Sequence, residues 1–314
     1  MDDLASPVSP DIELSPIVIT PIIPQPAKPR VWTVFTAVFA ALGLAVVFQI
    51  ILGIVLVVIE VAGGGNVEKF AKELPAKLAT PKMFMLMAAT GQLAFFLGAI
   101  VPAWLSPVPM KERLGLFRPR PSWGIVPLVM LGSWASMAVG IGLALALALV
   151  VKPDPMVEQL FENITLREAA PFVLFIALVP GITEELLFRG YVQRRLLERW
   201  TPGVAITVTS LLFALVHLQP HHVVLAFPIG LWLGLVAWKT GSVLPSIFCH
   251  AFINGSLNAW RMIVKFGEVP ESTQQVVHIV ALLVGLVCFV LAVNYFIKDE
   301  RSAGEGAGAV AGRS

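Results

Sequence analysis

The chain has 314 residues, of which 57% are hydrophobic and only 13% charged, with a net charge of +2 and a mean hydropathy of +0.84. Soluble domains carry about a quarter charged residues. Here the charges fall in clusters between apolar runs long enough to cross a bilayer, which takes roughly 20 residues per helix. That excludes a soluble domain anywhere but the two tails, and no basic stripe points to nucleic acid.

The first 30 residues hold seven prolines together with Asp2, Asp3, Asp11 and Glu13. Proline lacks a backbone donor and breaks helices, so residues 1–30 read as a disordered, partly polyproline tail rather than a secretory signal. Residues 31–298 are expected to form an all-α, polytopic membrane bundle of about eight helices. Four runs are ample for spanning: Val31–Ala62, Met83–Leu105, Gly124–Val151 and Val276–Ile297. Four are weaker: Ala169–Ile182, Val204–Leu218, Val223–Trp238 and Val243–Ala259. The first of the weak runs can span only by taking Glu184 and Glu185 into or near the membrane. Residues 299–314, rich in Gly and Ala, read as a flexible end.

Lys and Arg placement favours both termini in the cytoplasm, with 14 basic residues on inside segments against 8 outside. Cys249 and Cys288 lie in apolar runs and define no disulfide framework. Gly230 and Gly234 form a small-xxx-small pair that would let a neighbouring helix approach. Trp123, Trp200, Trp238 and Trp260 sit at run ends, as interfacial anchors do, and His278 reads as interfacial too. His221 and His222 follow Pro220 in a short turn and are weak metal candidates.

Ionisable groups inside a spanning helix are unfavourable by about 2.5–3.5 kcal/mol on insertion scales. The weak runs concentrate Glu184, Glu185, Arg189, His217, His250 and Asn254, whereas the ample ones carry the neutral Gln49 and Gln92, with Glu60 and His278 near run ends. Residues four apart on a helix share a face. Glu185 and Arg189 are therefore expected to pair, leaving Glu184 on another face, free to act as a base. Phe213 and His217 share a face, as do His250 and Asn254.

A carboxylate and a histidine can deprotonate water, while an Asn amide or a second histidine donates to a developing oxyanion. Glu184, His217 and His250 could equally ligate zinc or another divalent metal. No HExxH, spanning Asp or GxSxG elbow offers another hydrolytic centre, and Cys249 diverges from the adjacent His250. A proton-linked carrier using Glu184 and the histidines as a relay is the alternative, although no paired halves are visible. One difficulty is depth: full crossings place His217 and His250 roughly 10 Å apart along the membrane normal, from about 1.5 Å per residue. Tilt, a late helix start or a kink at Pro180-Gly181 would bring them together.

The sequence Glu184-Glu185-Leu186-Leu187-Phe188-Arg189-Gly190, with Phe213-xxx-His217 and His250-xxx-Asn254, resembles the three motifs of the CPBP family. These are CAAX prenyl endopeptidases and bacteriocin-processing or self-immunity (Abi-like) membrane proteins. Leu114-Gly115-Leu116 adds a faint further likeness, and the motif core is expected at 166–264. The resemblance implies an eight-helix bundle with endopeptidase activity on membrane-associated peptide or protein substrates. It implies catalytic roles for Glu184, His217, His250 and Asn254, supported by Glu185, Arg189 and Phe213. A CAAX substrate is not implied, and a catalytically inactive immunity or scaffold protein would keep the same fold.

Overall fold

The computed structural model describes residues 30–120 and 122–311. The expected N-terminal tail, but for Arg30, lies outside them, as do residues 312–314. Among the described residues every regular element is helical: α1 (Trp32–Ala62), α2 (Val67–Leu78), α3 (Pro81–Trp104), α4 (Met110–Arg113), α5 (Ile125–Ala148), α6 (Pro155–Asn163) and α7 (Leu166–Glu185). A π-helical segment, Leu186–Gln193, follows directly, then α8 (Arg194–Leu197), α9 (Pro202–Leu215), α10 (Pro220–Thr240), α11 (Leu244–Gly267) and α12 (Glu271–Ala311).

Each of the eight apolar runs is a helix. Six helical stretches are long and apolar enough to cross a membrane: α1, α3, α5, Leu166–Leu197, α10 and Glu271–Asp299. Two fall short for different reasons. The 14 residues of α9 reach about 21 Å, under the roughly 30 Å hydrocarbon thickness. The longer α11 carries His250, Asn254, Asn258, Arg261 and Lys265 on its 24 residues. The last helix keeps helical backbone to Ala311, through most of the stretch read as a flexible end; alanine is the strongest helix former.

Local chemistry sets the boundaries. Proline occupies the first turn of α3, α6, α9, α10 and α11, where its missing donor is harmless and its φ is already helical. Asn66 and Asp154 cap α2 and α6 by accepting from Lys69 N and Met156 N. Gly241 ends α10 at φ 62°, the left-handed conformation that glycine adopts without strain. The Lys265 ammonium donates to the carbonyls of Phe161, Glu162 and Ile164, so α11 satisfies the end of α6.

The helix formed by α7 and the π segment lies at the centre. It packs on α3 and α11, and its π segment also meets α9 and α10. All eight residues Leu186–Gln193 are buried. On its far side α11 meets α5, which also packs on α10 and α12. The contact of α5 with α10 is close at Gly140, where a Cβ would lie 2.5 Å from the Leu225 carbonyl oxygen. Neither backbone yields easily. Gly140→Ala is expected to destabilise the bundle by about 1–3 kcal/mol through overpacking, read as a lower thermal unfolding midpoint in micelles.

Candidate active site

The site begins with the way α7 is built. Glu168 reaches back to the N-terminal cap, where its carboxylate accepts from the Thr165 backbone N–H at 3.1 Å and hydroxyl at 2.7 Å. About one turn before the glutamates, Pro180 interrupts the ladder. A proline has no N–H to give the carbonyl four residues back, which here is that of Ile176. The Asn254 amide of α11 donates to that carbonyl at 3.3 Å. At the next residue, Gly181, a Cβ would meet Ala251 N at 3.1 Å, so α7 and α11 are nearly in backbone contact. This proximity sets Glu184 and Glu185 beside His250.

Glu185, fully buried, is the hub. Its Oε1 accepts from Arg189 Nη1 at 2.7 Å and from His250 Nδ1 at 2.9 Å. A carboxylate can only accept, so a proton of His250 sits on Nδ1, and the neutral tautomer that carries it there has its lone pair on Nε2. The carboxylate thus fixes tautomer and ring plane, as second-sphere acids do for histidines elsewhere. Arg189, also buried, donates to the Gly230 carbonyl at 3.0 Å and lies over the Phe213 ring with its guanidinium carbon 4.3 Å from the centroid. One turn on, Gln193 donates to the Gly234 carbonyl at 2.8 Å. Gly230 and Gly234 are therefore docking points: a Cβ on Gly230 would lie 3.0 Å from Ser210 Cβ, and one on Gly234 2.8 Å from Gln193 Oε1.

Glu184 diverges from that pair. Its Oε2 lies 3.9 Å from His250 Nε2, and its Oε1 accepts from the Gln92 amide of α3 at 2.7 Å. Carboxylate and imidazole are 6% and 4% exposed, so both work out of bulk water. His217 follows the end of α9, where its Nδ1 meets the Phe213 carbonyl at 2.9 Å, which leaves Nε2 outside that bond. The connector to α10 is only four residues long, and Leu218 within it takes φ 61°, a strained value for a branched side chain. Phe213 joins the two histidines, with its ring centroid 5.2 Å from that of His217 and 5.7 Å from that of His250.

The structure thus joins Glu184, Glu185, Arg189, Phe213 and His250 in one network, with His217 linked to it through the Phe213 ring. Asn254 is engaged with α7 through the Ile176 carbonyl. In the sequence Gln92 is only a neutral residue of an ordinary span, yet it joins the site through Glu184. The only signal was a lone amide in an apolar helix, and its partner is 92 residues away. As for a metal, both imidazoles have Nδ1 engaged and the donor types suit zinc. No three His, Cys, Asp or Glu side chains among the described residues, however, are gathered closely enough to hold an ion. A separate cavity of about 1370 Å³, lined by residues of α1 and α3 together with Arg113, Arg194 and Arg195, reaches Arg189.

Comparison with known families then gives one finding: residues 166–256 match the family described as type II CAAX prenyl endopeptidase Rce1-like. No curated protein and no solved structure matches the chain. The matched segment runs from the first residue of α7 through both histidines to just past Asn254.

Proposed function

We propose, on the premise that residues 166–256 form an Rce1-like, CAAX-type intramembrane endopeptidase domain, that the protein hydrolyses peptide bonds of membrane-associated or lipidated substrates by water activation at Glu184 and His250. The observation that carries this is the buried pair Glu184 Oε2 and His250 Nε2, 3.9 Å apart. They are too distant to bond directly, and one water oxygen can sit within hydrogen-bond reach of both. Glu184 takes a proton from that water as its oxygen attacks the scissile carbonyl carbon. His250, oriented by Glu185, holds the water. The second N–H of the Asn254 amide donates to the oxyanion, a role His217 fills only as imidazolium because its Nδ1 proton faces the Phe213 carbonyl. Glu184 then passes its proton to the amide nitrogen, the C–N bond breaks, and a carboxylic acid and an amine leave. No step requires a metal. Following the basic-residue bias, both termini face the cytoplasm and the site opens nearer that side.

Protein reconstituted in liposomes, given internally quenched peptides with and without a lipidated anchoring cysteine, tests the reading. The anchored peptide should be cut faster, with oxygen from heavy-oxygen water appearing in the new carboxyl group. Chelation should leave the rate unchanged. Loss of activity restored by zinc would replace free water with metal-bound water on Glu184, His217 and His250, and cleavage of neither peptide would end the endopeptidase assignment.

A further inference from the structure

We infer that Gln92, locked by Thr183, is a positioning residue for Glu184, holding one carboxylate oxygen so that the other faces His250. This rests on Glu184 acting as the base. Gln92 Nε2 donates to Glu184 Oε1 at 2.7 Å, while its own carbonyl oxygen accepts from the Thr183 hydroxyl. Thr183 is the residue before Glu184, and its single hydroxyl proton, which the Val179 carbonyl at 2.9 Å could also accept, goes to Gln92 in this arrangement.

The orientation follows from donor and acceptor chemistry. An ionised carboxylate accepts only, so the Gln92 amide must turn its NH₂ toward Glu184. Its C=O then faces Thr183, whose hydroxyl is the one donor able to meet it. Were the amide reversed, two acceptor oxygens would confront each other. Threonine therefore selects the productive orientation of the glutamine, and glutamine selects that of the glutamate. Glu184 Oε1 is spent on this tether, which leaves Oε2 as the oxygen on the His250 side at 3.9 Å. The general base is thus aimed from α3, a helix outside the matched segment 166–256. A carboxylate without this donor would keep two equivalent oxygens and sample orientations that miss the water.

The test is a set of variants assayed in liposomes with the anchored quenched peptide, at equal amounts of folded protein. A hydrogen bond to a charged group corresponds to about 10- to 100-fold in an equilibrium or a rate. Gln92→Leu is expected to lower kcat by about that factor with KM within about two-fold. Thr183→Val should lower kcat several-fold, about 3- to 10-fold for a neutral hydrogen bond, and Thr183→Ser, which restores the hydroxyl, should recover it. In the Gln92→Leu background Thr183→Val should have no further effect, because threonine acts only through the amide. A merely structural role would move thermal unfolding and leave kcat per folded molecule unchanged, which overturns the inference, as would simple additivity of the two substitutions. Glu184→Gln run beside them separates the two layers. If it is inactive while Gln92→Leu turns over normally, only the positioning role falls; if it is active, the base assignment falls and takes the positioning role with it. Should Gln92→Leu fail to fold, the Thr183 pair decides: equal kcat for Val and Ser overturns the inference.

Discussion

Glu184→Gln is expected to reduce peptide cleavage by about 10²- to 10⁴-fold, the contribution a positioned general base makes, while insertion and thermal stability stay close to those of the parent. Glutamine matches glutamate in shape, and its carbonyl can still accept from Gln92, so the contact between α3 and α7 survives. What disappears is an oxygen able to take a proton opposite His250 Nε2. Initial rates on a quenched, membrane-anchored peptide, with unfolding midpoints measured on the same preparation, check both halves. A variant that cleaves at near-parental rate would remove Glu184 from the reaction. One that is inactive because it no longer folds would instead make the carboxylate a structural group.

The largest expected effect on stability belongs to the ion pair. Arg189→Ala strands the Glu185 carboxylate, 0% exposed, without the cation that balances it, though His250 still donates to it. Breaking one side of a buried pair is unfavourable by about 3–5 kcal/mol. Arg189 also bonds the Gly230 carbonyl and stacks on Phe213, so its removal loosens α10 and α9 together. Lysine would not substitute, since it lacks the planar fork that serves a carboxylate, a carbonyl and a ring at once. In a double-mutant cycle Glu185→Ala with Arg189→Ala should be clearly less destabilised than the two single effects added. Strict additivity in thermal or denaturant unfolding would mean that the two charges are not coupled. Because Glu185 also holds His250, the double variant should remain slow in cleavage even where stability is recovered.

What could be read from the chain alone follows the range of each interaction. The Glu185–Arg189 pair lies within one helical turn, so spacing alone places it. The four weak runs and their concentrated polar groups likewise mark where the bundle is specialised. Gln92 on Glu184 and Glu185 on His250 are contacts across 92 and 65 residues, which no local period encodes. The bond from Asn254 to Ile176 was equally hidden. It follows from Pro180 once α11 is known to lie against α7, and not before. The continuation from Ile182 to Leu197 as one helix also escaped the pattern, because charges that read as a helix end at an interface are instead buried by α3, α9 and α10. In Gly230 and Gly234 the sequence showed small residues, and the structure shows what they admit: Ser210 and Phe213 of α9 at the first, Gln193 and Ile206 at the second.

The π-helical segment has a consequence for how this protein can vary. Its backbone bonds skip one residue further than those of an α-helix, so between Glu184 and Arg194 the chain holds a surplus that ordinary winding would expel. Removing a single residue from Leu186–Gln193 would let the stretch relax to α geometry with the helices on either side nearly in register, because the wider winding is what accommodates the extra residue. The cost falls inside the segment: a deletion between Glu185 and Arg189 shortens their spacing from four to three and draws Arg189 away from the carboxylate and the Gly230 carbonyl that receive it. Substitutions here can be absorbed one at a time, but a change of length moves these contacts. In a helix whose neighbours in sequence tolerate tilt and overhang, these eight positions act as a fixed count.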